Sequence, residues 1–217
     1  MDLILFKYFL CVAVPLAAML ILLDPRPRLL LIFVIIGAFQ FVFSQTVVSV
    51  ILSAFPGISS DFVMTTYAPL IFELSKAVPI AYYSFVSSAD RKTLINLSIS
   101  IGAGFAVLES LYTLSSSDAA DMRSIVLLIV IYVLINLVCT GFVGVVITYV
   151  ISNPARLIFS VVGLFSIPTL LHGIVRIFIE AHSYLIATAI CIILYIPIMI
   201  AFFKNEKKER INLRLKL

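Results

Sequence analysis

The chain has 217 residues, of which 63% are hydrophobic and only 12% are charged. Soluble domains contain roughly 45–50% apolar and about 25% charged residues, so a soluble fold of this length could not bury the excess apolar surface. The apolar segments are long and continuous, and they lack the alternation of a transmembrane barrel wall. Because backbone polar groups in hydrocarbon must be satisfied internally, the composition predicts an all-α bundle of membrane helices.

Seven segments are apolar enough and long enough to span a membrane, which takes about 20 residues. In chain order they are residues 3–23, 29–55, 68–87, 93–114, 125–151, 157–179 and 184–203. We expect residues 1–203 to form a single transmembrane domain and residues 204–217 to form a basic cytoplasmic tail. The first segment has no basic n-region and no clear cleavage site, so we interpret it as a retained span.

The charges in the loops predict the orientation. The tail contains six of the fifteen Lys and Arg residues, which assigns it to the cytoplasm and, with seven spans, leaves the N-terminus outside. The outer loops then contain Arg123 as their one basic residue, whereas the cytoplasmic loops contain Arg26, Arg28, Arg91, Lys92 and Arg156. The net charge of +4 comes largely from basic residues on the cytoplasmic side, where anionic lipid attracts them, so the charge is no sign of a nucleic-acid partner.

A few ionisable residues lie inside the predicted spans. Of the eleven acidic residues, Glu73 and Glu109 are the two well within a span, and Lys76, His172 and Arg176 accompany them. A charge at mid-membrane costs from ~3 to above ~10 kcal/mol, so such residues are functional-site candidates. At 1.5 Å per residue, the predicted topology places these groups roughly 5–12 Å below the outer surface. Two carboxylates and an imidazole should therefore share one outward-facing layer.

Structural explanations of the same residues remain open at this point. Glu73 and Lys76 are three residues apart and could simply neutralise each other on one helix face. Glu109 could reach interfacial water, and Arg176 could pair with Glu180 or reach the headgroups. His172 could be a hydrogen-bonding bridge between helices.

Other residues inside the spans are interpreted as structural. Asn136 is expected to hydrogen-bond between helices rather than to contact a substrate. The three cysteines, which have no CxxC spacing, are expected to be buried and reduced. Close helix approach is expected at Gly102, Gly104, Gly141 and Gly144.

Three short motifs carry a family resemblance. Residues 72–76 contain a Glu followed three residues later by a Lys, residues 104–109 read Gly-Phe-Ala-Val-Leu-Glu, and residues 168–173 read Pro-Thr-Leu-Leu-His-Gly. In this order, and with the chain around them, they resemble the PrsW family of intramembrane proteases, kin of the type II CAAX prenyl proteases. The resemblance implies Glu73, Glu109 and His172 as catalytic residues, supported by Lys76.

The motif set is degenerate. Phe72 occupies the place of a family Glu, Cys139 falls where the family has a His, and Arg176 replaces the last Asp. Cys139 and Arg176 are therefore supporting positions whose family residues are lost. The layout also resembles the anterior-pharynx-defective subunit of gamma-secretase, which acts as a scaffold without cleaving. The resemblance implies either an intramembrane protease or a degenerate scaffold that binds and stabilises partner membrane proteins.

Peptide hydrolysis requires a base for water, a stabiliser of the oxyanion and an acid for the leaving amine. We expect Glu73 or Glu109 to act as the base and His172 to donate, while Lys76 keeps one Glu ionised. The two Glu and the His could instead bind a divalent metal, whereas a glutamate-dependent enzyme requires none. The expected partner is a membrane-anchored protein or peptide at the plasma (cytoplasmic) membrane. A transporter is disfavoured, because the sequence has no paired broken helices and no internal repeat.

Overall fold

The computed structural model describes residues 9–17, 27–87, 89–116, 121–152 and 157–196. All of the regular secondary structure in these ranges is helical, which confirms the predicted all-α class. The seven longer helices are α1 (9–17), α2 (Pro27–Ala54), α3 (Ala68–Val86), α4 (Arg91–Ser116), α5 (Met122–Ser152), α6 (Leu157–Glu180) and α7 (Tyr184–Ile196).

Three stretches in the described ranges are long and apolar enough to cross a membrane: Arg28–Ala54, Arg91–Ser115 and Met122–Thr148. The protein is therefore a polytopic helical membrane protein. Each predicted span overlaps one of the longer helices, but the full count of seven spans and the orientation stay predictions. Parts of the first and last predicted spans, and the tail at 204–217, lie outside the described residues.

Residues 56–67 lie between the second and third predicted spans, and the second half of this segment is helical. A short helical turn at Ser60–Phe62, capped by Ser59, leads into a π-helical turn at Val63–Tyr67 that continues directly into α3. The π turn lies against α6, where a Cβ added to Gly173 would meet the Thr65 carbonyl oxygen at 3.3 Å. Wide turns of this kind interrupt a helix and are frequent near functional sites.

Helix α4 lies at the centre of the bundle. In its most apolar stretch 83% of the residues are buried, against 28% in α2. Helix α4 packs on α2 along one side and on α5 along the other. Large apolar side chains such as Phe39 on α2 and Phe85 on α3 are exposed, as expected for surfaces that face lipid.

Glycines let the backbones of these central helices approach closely. A Cβ on Gly104 of α4 would overlap the Val34 backbone carbonyl of α2, and a Cβ on Gly37 would overlap that of Ile101. On the opposite side, a Cβ on Gly102 would lie 2.7 Å from the Asn136 carbonyl oxygen of α5. The close approach predicted at Gly102 and Gly104 is confirmed, and the same holds for Gly144, whereas Gly141 has only ordinary contacts.

Candidate active site

Six polar side chains from four helices form one buried group, here called the polar cluster. Five of them are at most 1% exposed and the sixth is 5% exposed. Helix α3 contributes two members, α4 and α5 one each, and α6 two. The members are Glu73, Lys76, Glu109, Asn136, His172 and Arg176.

Helical spacing brings the members from one helix to the same face. Glu73 and Lys76 are separated by three residues on α3, and His172 and Arg176 by four residues on α6, so each pair lies on one side of its helix. Glu73 lies near the beginning of α3, whereas Glu109 lies near the end of α4. Helices α3 and α4 are consecutive, so the two acids lie towards the same end of the bundle.

Glu73 accepts two hydrogen bonds at one carboxylate oxygen. Lys76 Nζ donates to Glu73 Oε1 at 2.7 Å, and His172 Nδ1 lies 2.8 Å from the same oxygen. Because an ionised carboxylate can only accept, Nδ1 must carry the hydrogen of this bond. A neutral His172 then has its lone pair on Nε2, which is buried and has no hydrogen-bond partner among the described residues.

Glu109 is held through both of its oxygens. Arg176 Nη2 donates to Oε1 at 2.6 Å, and Asn136 Nδ2 donates to Oε2 at 2.7 Å. His172 Nε2 lies 3.8 Å from Glu109 Oε1, which is too far for a direct hydrogen bond. Glu109 is 1% exposed. The structural explanation in which Glu109 reaches interfacial water is therefore wrong.

Asn136 connects the two ion pairs. Its Oδ1 accepts from Lys76 Nζ at 2.8 Å, while its Nδ2 donates to Glu109 and to the Tyr132 carbonyl oxygen. The predicted hydrogen bonding of Asn136 between helices is therefore confirmed. Its place inside the candidate site was missed, although an amide in the middle of an apolar segment was the signal that could have indicated it.

The cluster is compensated in charge. Two carboxylates face one ammonium and one guanidinium, and each carboxylate accepts at least two hydrogen bonds from cluster members. Buried charges persist in proteins when they are paired and hydrogen-bonded in this way. The neutralisation of Glu73 by Lys76 and the bridging of helices by His172 are thus both present, and neither prevents His172 from facing Glu109.

Aromatic rings cover the cluster. The Phe72 ring lies 5.9 Å from the His172 ring, and the Arg176 guanidinium lies 5.3 Å from the centre of Phe72. The Lys76 ammonium lies 4.8 Å from the centre of the Phe105 ring, which also packs on Phe72. A cation over a ring face gains electrostatic attraction that adds to its ion pair. The residue that replaces the family Glu thus fills space beside the cluster.

A comparison with protein families identifies the family of this chain. A family model described as PrsW family intramembrane metalloprotease matches residues 25–202.

The chain belongs to the PrsW family.

The resemblance inferred from the three motifs is thereby confirmed. No match was found among the curated proteins or among the solved structures.

Cys139 lies beside the cluster in this PrsW-family protein, without joining its hydrogen bonds. The thiol is buried and donates to the Pro168 carbonyl oxygen of α6 at 3.6 Å. Pro168 lies one turn before His172, so the contact links α5 to the part of α6 that carries the imidazole. The thiol helps to hold α6 in place and is not directed at either carboxylate.

The side chains present do not fit the metal that the PrsW family description names. Within the described ranges, no group of three His, Cys, Asp or Glu side chains has the arrangement of a metal site. Lys76 occupies Glu73 Oε1, and Arg176 occupies Glu109 Oε1, the oxygen nearest to His172 Nε2. A divalent ion beside His172 Nε2 would have to share Glu109 Oε1 with the Arg176 guanidinium. Glu73 Oε2 has no partner among the described residues, but its carboxylate is already neutralised by Lys76. The proposed chemistry below therefore includes no step at a metal.

Proposed function

We propose that this PrsW-family protein is an intramembrane protease that hydrolyses a peptide bond of a membrane-anchored protein or peptide. The observation that supports it is the pair formed by Glu73 and His172. The imidazole is held at Nδ1 by a carboxylate, and its other nitrogen has no hydrogen-bond partner in the described part of the chain. A carboxylate that fixes the tautomer and orientation of a histidine base is a recurring arrangement in hydrolases.

The geometry favours His172 as the base, which reverses the roles expected from the sequence. Glu73 Oε1 already accepts from two donors, and Glu109 is engaged at both oxygens. Two buried acceptors of the polar cluster have no hydrogen-bond partner among the described residues, Glu73 Oε2 and His172 Nε2, and Nε2 is the one that lies 3.8 Å from Glu109 Oε1. A water at a hydrogen-bond length of about 2.8 Å from both His172 Nε2 and Glu109 Oε1 fits their 3.8 Å separation.

The proposed hydrolysis uses side chains of the polar cluster for proton transfer and for charge stabilisation. His172 Nε2 takes a proton from the water while the water oxygen bonds to the peptide carbonyl carbon. Glu73 is a positioning residue that stabilises the imidazolium formed in this step. Arg176 Nε is buried, has no partner among the residues that the structure describes, and offers a donor to the oxyanion. Breakage of the carbon–nitrogen bond is completed when His172 returns the proton to the leaving nitrogen.

The substrate must reach a covered site. Phe72 packs directly on the cluster, and the π turn at Val63–Tyr67, which leads into α3, contacts α6 at Gly173. We propose that a single-span substrate enters at this end of the bundle, where it would displace the Phe72 ring. The loop charges support an extracytoplasmic position for this end and a plasma-membrane location, so cleavage would fall near the outer end of the substrate span.

A degenerate scaffold is the second candidate, and the pairing of Arg176 with Glu109 favours it. This pair and the Phe72 ring replace two expected site residues with groups that hold α3, α4 and α6 together. A scaffold of this kind would bind and stabilise partner membrane proteins. It predicts that a Glu73→Gln change lowers stability but removes no activity.

The experiment that separates the two compares protein N-termini in host membranes. Cells would express the wild type, the Glu109→Gln variant or a Ser53→Ala control at matched levels, and a further culture would carry no copy of the protein. Ser53 is exposed on α2, and its hydroxyl donates to the Ser49 carbonyl oxygen of its own helix. A protease produces new N-termini near the ends of single-span proteins with the wild type and the control, and many fewer with Glu109→Gln. Equal sets of N-termini from cells with and without the protein would refute the proposal and favour the scaffold.

A further inference from the structure

We propose that the Arg176 guanidinium occupies the place of a metal ion in the polar cluster, and that the protein folds and remains intact without bound metal. The inference goes beyond hydrolysis, because it concerns what holds the two acids and the imidazole together. It rests on the family membership and on the geometry of the cluster. It would stand even if the chain were a scaffold.

Two atoms of the polar cluster have the spacing of neighbouring metal ligands. His172 Nε2 and Glu109 Oε1 lie 3.8 Å apart and face each other. Two ligand atoms that each bind one ion at about 2.0–2.2 Å are separated by roughly 3–4 Å, so this spacing is that of neighbouring ligands. Glu73 holds His172 through Nδ1, which is the contact that orients a metal-binding histidine in many sites.

The positive charge next to these two atoms is the guanidinium of Arg176. Arg176 Nη2 lies 2.6 Å from Glu109 Oε1, the same oxygen that faces His172 Nε2. Both carboxylates are thereby neutralised, one by Lys76 and one by Arg176. A divalent ion would gain two ligand atoms but would lie beside a guanidinium that cannot lose its proton.

The position of Arg176 is secured by its neighbours. Its guanidinium lies 5.3 Å from the centre of the Phe72 ring, and its side chain is 6% exposed. A guanidinium is planar and permanently charged, and it makes hydrogen bonds in a fixed geometry. Unlike a bound ion, it cannot be removed by a chelator. The structure therefore predicts a protein that is indifferent to metal removal.

The first test measures the metal content and thermal unfolding of the full-length wild type in detergent. Cells would be grown with added zinc, cobalt and manganese, and the purified protein would be divided between buffers with and without a chelator. We expect metal well below one ion per chain and the same unfolding midpoint in both buffers. One tightly held ion per chain, or a lower midpoint with the chelator, would overturn the inference.

The second test restores a ligand at the same position. Arg176→Asp removes the guanidinium and adds a carboxylate next to His172 and Glu109, whereas Arg176→Gln removes the charge alone. We expect Zn²⁺ to raise the unfolding midpoint of the Asp variant, and Co²⁺ to give it a ligand-field absorption spectrum, with neither effect in the Gln variant. Absence of both effects in a folded Asp variant would overturn the assignment.

A second variant covers the case in which Arg176→Asp does not fold. Arg176→His adds a neutral ligand that can still donate to Glu109, and the same two metal readouts apply to it. None of these measurements depends on peptide cleavage. A failure of the proposed protease activity and a failure of this inference are therefore distinguishable.

Discussion

His172 Nδ1 lies 2.8 Å from Glu73 Oε1, although the two residues are 99 positions apart in the chain. The bond joins α3 to α6 and shares its acceptor oxygen with Lys76. The imidazole is thereby fixed with its other nitrogen towards Glu109. This one contact gives the cluster an oriented base for the proposed chemistry and joins two helices, so substitutions at these residues should have separable effects on stability and on cleavage.

Glu73→Gln should destabilise the bundle. The change leaves the Lys76 ammonium buried without a counter-charge, and breaking a buried pair costs about 3–5 kcal/mol. The free energy of unfolding in detergent measures this directly. A double variant with Glu73→Gln and Lys76→Met should recover part of the loss, because no unpaired charge remains. If the double variant were as unstable as the sum of the two single variants, the pairing would not be the cause.

Asn136→Ala should lower the free energy of unfolding more than Asn96→Ala. Asn136 bonds to two charged groups, Lys76 and Glu109, and each such bond contributes about 1.5–3 kcal/mol. Asn96 is also buried, but its side-chain oxygen has no hydrogen-bond partner among the described residues. The two variants remove the same atoms, so equal losses of stability would contradict the bridging role of Asn136.

Gly104→Ala and Gly37→Ala should each separate α2 from α4. In both cases the added methyl group would overlap a backbone carbonyl of the other helix, and overpacking of this kind costs about 1–3 kcal/mol. Gly141→Ala is the matched control, since its nearest neighbour would be the Ile99 side chain at 3.6 Å. Thermal unfolding should rank the control close to the wild type. A control as damaging as Gly104→Ala would show that helix approach is not the reason.

The predicted orientation can be tested with single cysteines and a membrane-impermeant maleimide. Ala181→Cys, in the exposed turn after α6, should react in intact cells, whereas Ala89→Cys, just before α4, should react only after the membrane is opened. The native thiols Cys11, Cys139 and Cys191 are buried and should give little background. The opposite pattern would invert the topology and place the cluster near the cytoplasmic surface.

The sequence was sufficient to predict the helices and the group of ionisable residues, and insufficient to predict their pairing. Long apolar segments leave few alternatives to helices in lipid, and counting residues from the loops places Glu73, Glu109 and His172 at similar depths. Depth says nothing about the rotation of each helix about its axis. The pairing of Arg176 with Glu109 depends on that rotation, so Arg176 was expected to pair with Glu180, to reach the headgroups or to stand for a lost site residue.

Two further features depended on packing that no local pattern reveals. Gly37 looks like any other glycine in an apolar segment, and only the position of α4 shows that the Ile101 carbonyl occupies the space of its missing side chain. The π turn at Val63–Tyr67 follows a proline and a glycine that indicate a loop, yet the chain resumes helical structure because it packs on α6. Tertiary contacts overrode the local signals in both cases.

The most direct test of the proposed chemistry uses His172→Asn. The Asn amide can still donate to Glu73, but it has no counterpart of Nε2, so the bundle should fold while the base is lost. New N-termini in host membranes would be counted for the wild type and for this variant, at matched amounts of folded protein. We predict that the wild type produces termini near the ends of single-span proteins and that His172→Asn produces none. Equal production of these termini by the folded variant would contradict the assignment of His172 as the base.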